Sequence, residues 1–175
     1  MVQKKVYTLL IVICLFLLAG CGPATLPTPP ISDTPLPFAK LYPLKDINKS
    51  ISLELDPGIK SDLKPGANVF LQVQNLSSQQ IWFDADWQIR IYQAATPQAD
   101  LWKSVDNGVQ YVGDGVTLDP PGGSGMTNDA IVCIPLLNDI QSATTVRVVV
   151  TGQILKNKQK TGTPVSAYTD VIINP

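Results

Sequence analysis

The hydrophobic pattern divides the chain into three stretches. Val6 to Leu18 is almost continuously apolar, interrupted only by Tyr7, Thr8 and Cys14, and follows Lys4 and Lys5. Its 13 residues fall short of the about 20 that a helix needs to cross a bilayer. With two lysines ahead of it, the stretch has the length and charge placement of the apolar region of a secretory signal. From Cys21 to Pro43 the pattern has no period. Prolines stand at 23, 27, 29, 30, 35, 37 and 43 among Thr, Ser and Ala. That composition favours a semi-rigid polyproline-like spacer of about 3.1 Å per residue, so twenty-odd residues reach roughly 50–70 Å.

From about Ile47 the period becomes two. Ile51, Leu53 and Leu55 alternate with Ser52 and Glu54, and Asp56-Pro57-Gly58 closes the strand. After the turn Lys64-Pro65-Gly66, Val69, Leu71 and Val73 line one face of a strand ending at Asn75-Leu76-Ser77. Ile81, Phe83, Ala85, Trp87, Ile89 and Ile91 then alternate with Trp82, Asp84, Asp86, Gln88, Arg90 and Tyr92. Twelve residues is long against the usual strand of about 5–6, and a bulge or sheet switch near Asp84-Ala85-Asp86 is expected. Further strands are predicted at Leu101–Val105, Gln110–Val112, Val116–Leu118, Ile131–Leu136, Thr145–Leu155 and Val165–Ile173, with Lys156–Pro164 as a polar loop. Pro120-Pro121-Gly122-Gly123 suits neither a helix nor a central strand. No segment keeps a helical period over three turns. The reading is all-β: an immunoglobulin-like antiparallel β-sandwich of about seven to nine strands after a Pro-rich tether. It divides as a signal peptide at 1–20, a linker at 21–46 and the sandwich domain at 47–175.

Leu18-Ala19-Gly20-Cys21 resembles the bacterial lipobox, in which a leucine and two small residues precede a lipid-modified cysteine. The resemblance implies cleavage before Cys21, a diacylglycerol on its thiol, and a mature chain anchored in the cell envelope on the extracytoplasmic side. Gly22 stands where an aspartate would signal retention at an inner membrane, so the outer face of the cell membrane and an outer membrane both remain open. Three further pieces, Val69–Ser77, Trp87–Tyr92 with Leu101-Trp102, and Thr117-Leu118-Asp119-Pro120-Pro121-Gly122, together resemble the small sandwich domains related to the bacterial intracellular proteinase inhibitor. That likeness covers about a third of the chain, and here the turn carries an extra proline. It implies the fold; protease inhibition follows only by analogy.

Removing residues 1–20 takes away two lysines and leaves 11 basic against 14 acidic residues, a net charge of −3. Nucleic-acid binding needs a clustered basic surface and is not expected. Glu54 is the only glutamate. Once Cys14 leaves and Cys21 is lipidated, Cys133 has no partner for a disulfide. In the apolar run Ala130–Ile134 it reads as a small buried hydrophobe.

The chain contains no histidine, so Ser-His-Asp, Cys-His and His-ligated metal chemistry are excluded. Gly122-Gly123-Ser124-Gly125 lacks the lysine of a phosphate loop and reads as a flexible loop. On an extended strand Asp84 and Asp86 share a face about 7 Å apart, which admits either a shared calcium or a solvated surface. Trp82, Arg90 and Tyr92 stand on the same face. Together the five residues make a candidate ligand or partner face, unless Trp82 packs beneath a neighbouring loop. Lys156, Lys158 and Lys160 make a basic tip, either merely solvated or attracted to an anionic polymer. No cofactor is called for. The favoured expectation is a non-catalytic binding or scaffolding module for an envelope protein or wall glycan. Inhibition of extracytoplasmic proteases is the alternative, and an Asp-dependent enzyme built on Asp84 and Asp86 is a third class.

Overall fold

The computed structural model describes residues 34–42, 45–58, 63–96, 100–106, 114–122, 127–156 and 159–175. The expected signal peptide, Cys21, Gln110–Val112, Gly123–Gly125 and Lys158 lie outside them, as does the side chain of Lys160.

Alternating sequence produces two antiparallel sheets that bury their apolar positions against each other. The smaller contains β1 (Ile51–Leu55), β2 (Asn68–Asn75) and β7 (Asp129–Pro135) in the order β1-β2-β7. The larger is ordered β5-β4-β8-β3-β6, from β5 (Trp102–Val105), β4 (Arg90–Ala94), β8 (Thr144–Lys156), β3 (Ile81–Phe83) and β6 (Val116–Leu118). The other edge of β8 pairs with β9 (Gln159–Ile173). This is the expected all-β sandwich. Val69, Leu71 and Val73 meet Ile81, Phe83, Ile91, Val146, Val148 and Val150 in one buried cluster.

The long alternating stretch from Ile81 to Tyr92 is two strands, not one. β3 and β4 share one edge of β8, with Trp82 opposite Gln153 and Arg90 opposite Val149. Seven residues therefore intervene on one side and three on the other. The surplus loops out where the sequence led us to expect a bulge. The Trp87 carbonyl accepts the Thr151 amide at 3.0 Å, and the Trp87 ring lies 4.6 Å from that of Phe83. Ile81, Phe83, Ile89 and Ile91 all still point into the core.

Three expectations need correction. Cys133 is exposed, as is Ile131, because β7 keeps strict alternation and turns Val132 and Ile134 inward. An unbroken apolar run conceals which residues face out. The polar stretch 156–164 is mostly strand, since β9 begins at Gln159 and pairs almost to the hairpin tip, Lys156 opposite Gln159. Among the described residues the packing already includes Leu36, ahead of the expected Ile47.

This last difference reshapes the domain. Leu36 exchanges two backbone hydrogen bonds with Trp102 on the open edge of β5, at 3.0 and 2.8 Å. A single helical turn, α1 (Phe38–Leu41), follows and buries Phe38 and Leu41. Tyr42 is buried too, and its hydroxyl bonds Thr151 of β8 and Ser166 of β9. On the open edge of β9, the Asn48 amide donates to the Ser166 carbonyl at 2.9 Å, while the Asn48 side chain accepts the Tyr168 amide at 2.8 Å. Leu36–Tyr42, on the outer face of the larger sheet, and Asn48, at the edge of β9, thus form a strap over that face. Burying three large side chains contributes about 1.5–3 kcal/mol each before entropy is counted.

Asn75 joins the sheets at the corner between β2 and β3. Its fully buried amide donates to the carbonyls of Gln79 and Leu118 and accepts from the amide and hydroxyl of Ser77. That uses the full capacity of the side chain.

Two outcomes check this architecture. Asn75→Ala lowers unfolding free energy by about 3 kcal/mol, because several buried groups lose their partners at once; urea titration measures it. A chain starting at Ile47 aggregates in light scattering, whereas one starting at Thr34 stays soluble, because only the second keeps Leu36 on the edge of β5 and the aromatic cluster covered.

Candidate functional site

The five residues of the predicted face divide into two environments. Asp84 and Asp86 sit in the excursion between β3 and β4, not on an extended strand. Asp84 accepts the Trp82 indole N–H at 3.0 Å and lies 3.4 Å from the Gln88 amide nitrogen. Asp86 accepts the Gln88 backbone amide at 2.9 Å. Ile89 closes the turn by donating to the Asp86 carbonyl at 3.1 Å. The two central residues, Trp87 and Gln88, are left-handed at φ 52° and 45°. The geometry is that of a tight hairpin turn in which both positions prefer Asn or Gly. Here it is held by the Trp87 ring against Phe83 and by the Thr151 amide. Among the described residues no three Cys, Asp or Glu side chains lie together as metal ligands.

Trp82 is half-buried and packs over Gly115, where a Cβ would lie 2.1 Å from the indole. The indole and the Phe83 carbonyl leave no room for a side chain at 115, which explains the glycine. Arg90 is half-buried and donates to the carbonyl of Ile89 at 2.8 Å. Tyr92 shares the outward parity of Arg90 but is fully buried beneath the strap, so it presents nothing to solvent. The sequence pattern gives the right side of the sheet and cannot show that another segment covers it.

A second constellation lies under the strap, and of its residues only Tyr92 belongs to the face predicted from the sequence. Phe38, Leu41, Tyr42, Tyr92, Trp102 and Val149 form a buried cluster separate from the sandwich core. At its margin the Arg147 guanidinium lies 4.5 Å from the Phe38 ring centroid, 4.1 Å from that of Trp102 and 4.0 Å from that of Tyr168. Arg147 also binds Asp170 through two parallel bonds of 2.7 and 2.8 Å. Burial opposes its charge, but the bond to Asp170 and the charge of Asp170 outweigh it, so the guanidinium holds its proton more firmly than usual. Rings and carboxylate together fix the group from several sides, a geometry that lysine does not reproduce.

Nearby, the hydroxyls of Tyr42, Thr151 and Ser166 bond one another in a buried triangle. Those bonds run between hydroxyls, and a hydroxyl bonded to hydroxyls has no base to take its proton. The Tyr92 hydroxyl is buried without a hydrogen-bond partner. Burial, reinforced by the proximity of Tyr42, pushes its ionisation well above the ordinary tyrosine value, against a smaller opposing effect of Arg90. The sequence carries one signal of this cluster. Phe38-Ala39-Lys40-Leu41-Tyr42 interrupts the Pro/Thr composition with two aromatics four residues apart.

A comparison with protein-family models finds no match, and a comparison with curated proteins finds no relative.

Two substitutions test the strain and burial described above. Gln88→Gly raises stability by about 1 kcal/mol, because glycine adopts the left-handed conformation without steric cost; thermal unfolding reads the shift. For Tyr92 the sign follows from the raised ionisation. The unfolded chain loses this proton near pH 10.0 while the folded chain retains it, so stability is whole below that pH and declines as pH rises above it. Tyr92→Phe removes that share of the decline, visible as a smaller difference between urea midpoints at about pH 8 and about pH 11.

Proposed function

We propose that the chain is a lipid-anchored, extracytoplasmic, non-catalytic module that binds or scaffolds an envelope protein or a wall glycan. The observation that carries the reading is the strap. In the chain that follows Leu18-Ala19-Gly20-Cys21, Leu36 pairs with Trp102. Anchorage at Cys21 is thereby linked to a defined edge of one sheet. Fourteen residues lie between Cys21 and Leu36, so a polyproline-like spacer there reaches about 45–50 Å, shorter than a tether running to Pro43 would give. A body tied in at one sheet edge and held at short range suits holding a partner in place.

The likeness to proteinase inhibitor-related sandwiches finds a folding reason in the Asn75–Leu118 bond, which joins two of its three pieces. That supports the fold and names no inhibitory residue.

The reading is tested in cells fed an alkyne-bearing fatty acid. The chain takes up label and sediments with membranes, whereas Cys21→Ser loses both properties; an unlabelled soluble wild-type chain would overturn the anchor. Crosslinking and capture from those membranes then retains a protein or glycan in near-stoichiometric amount. A protease as the captured partner replaces the scaffold reading with inhibition.

A further inference from the structure

We infer that Leu36–Tyr42 is a latch: it opens from the outer face of the larger sheet while the sandwich stays folded, and the Tyr92 hydroxyl is the group that keeps its closed form weak. Three observations carry this. First, the ring cluster is separate from the sandwich core, and no residue from Leu36 to Tyr42 belongs to that core. Opening therefore takes nothing out of it. Second, the segment has little structure of its own. α1 is a single turn, Pro37 gives it no side-chain cap, and one turn does not hold in water without packing. Among the described residues its only backbone bonds to a strand are the pair between Leu36 and Trp102.

Third, the closed form carries a built-in cost. Tyr92 is fully buried against the rings of Phe38 and Tyr42, and its hydroxyl has no hydrogen-bond partner among the described residues. A phenylalanine would fill the same space without that cost, and opening returns the hydroxyl to water. Tyr42 acts in the opposite sense, since its hydroxyl gains Thr151 and Ser166 only when the segment is docked. Two tyrosine hydroxyls thus set the closed population with opposite signs. Opening frees the edge of β5 at Trp102 and uncovers Tyr92 and Val149, so the two forms present different surfaces.

Native-state amide exchange on the full chain in detergent tests the latch. The Trp102 amide belongs to β5 but donates to the Leu36 carbonyl, so it reports the segment while β5 stays paired with β4. The Asn75 amide, which donates to the Asn128 carbonyl, reports the sandwich. The expected result is that Trp102, Leu36 and Tyr42 exchange together, faster than Asn75 and with little dependence on urea. Tyr92→Phe slows exchange at Trp102 by about tenfold, the effect of one unmet buried hydroxyl. Tyr42→Phe speeds it by about fivefold, with Thr151 and Ser166 still bonded to each other. Exchange of all three amides in step with Asn75, at the same steep urea dependence, overturns the latch, as does an unchanged Trp102 rate in Tyr92→Phe.

Discussion

An open β-sheet ends in strands whose outer backbone groups have no partner, and those groups must be covered or left to water and to other chains. The larger sheet meets this requirement at β5 and β9 with one segment. Leu36 pairs with the edge of β5, and Asn48 completes the edge of β9 through both its amide and its side chain. Between these two fixed points the chain has to cross the sheet's outer face. That crossing makes a buried cluster of Phe38, Leu41 and Tyr42 and turns a surface tyrosine into an interior one. It also places Phe38 beside Arg147. The domain is therefore layered on that side as strap, sheet and core.

The two sheets are in turn joined by polar chemistry. β2 belongs to the smaller sheet and β3 to the larger, and the corner between them would strand buried carbonyls and amides. Asn75 pairs with two carbonyls, one amide and one hydroxyl through one side chain. Next to it, Gln80 donates to the buried Asp119 carboxylate at 2.7 Å. Buried polar groups are tolerable when every member is satisfied, and this corner meets that condition where the apolar core cannot.

Much of the fold is legible from the period of two. It places β1, β2, β6 and β8 close to their observed spans, and it locates the surplus between β3 and β4 near Asp84-Ala85-Asp86. The pattern fails where it loses contrast. In Ala130–Ile134 every residue is apolar, so nothing marks Cys133 as outward-facing. Around Lys156–Lys160 the residues are polar, yet backbone pairing with β8 continues. The candidate face was legible only in parity. Arg90 and Tyr92 do share a side of β4, but coverage by a segment some fifty residues earlier leaves no trace in the alternation of β4 itself. The strap was obscured by its neighbours, since the prolines on both sides of Phe38-Ala39-Lys40-Leu41-Tyr42 read as spacer.

The path of the strap also sets a mechanical order. Tension applied at Leu36 falls on two hydrogen bonds at the edge of β5 before it reaches β1. Those bonds belong to a single antiparallel bridge, so they are not loaded side by side along a strand in shear. Phe38, Leu41 and Tyr42 would follow in sequence, and only beyond Asn48 would force arrive at β1. The domain therefore has a compliant element in series with a stiff one, and a modest pull lengthens the first while leaving the second folded.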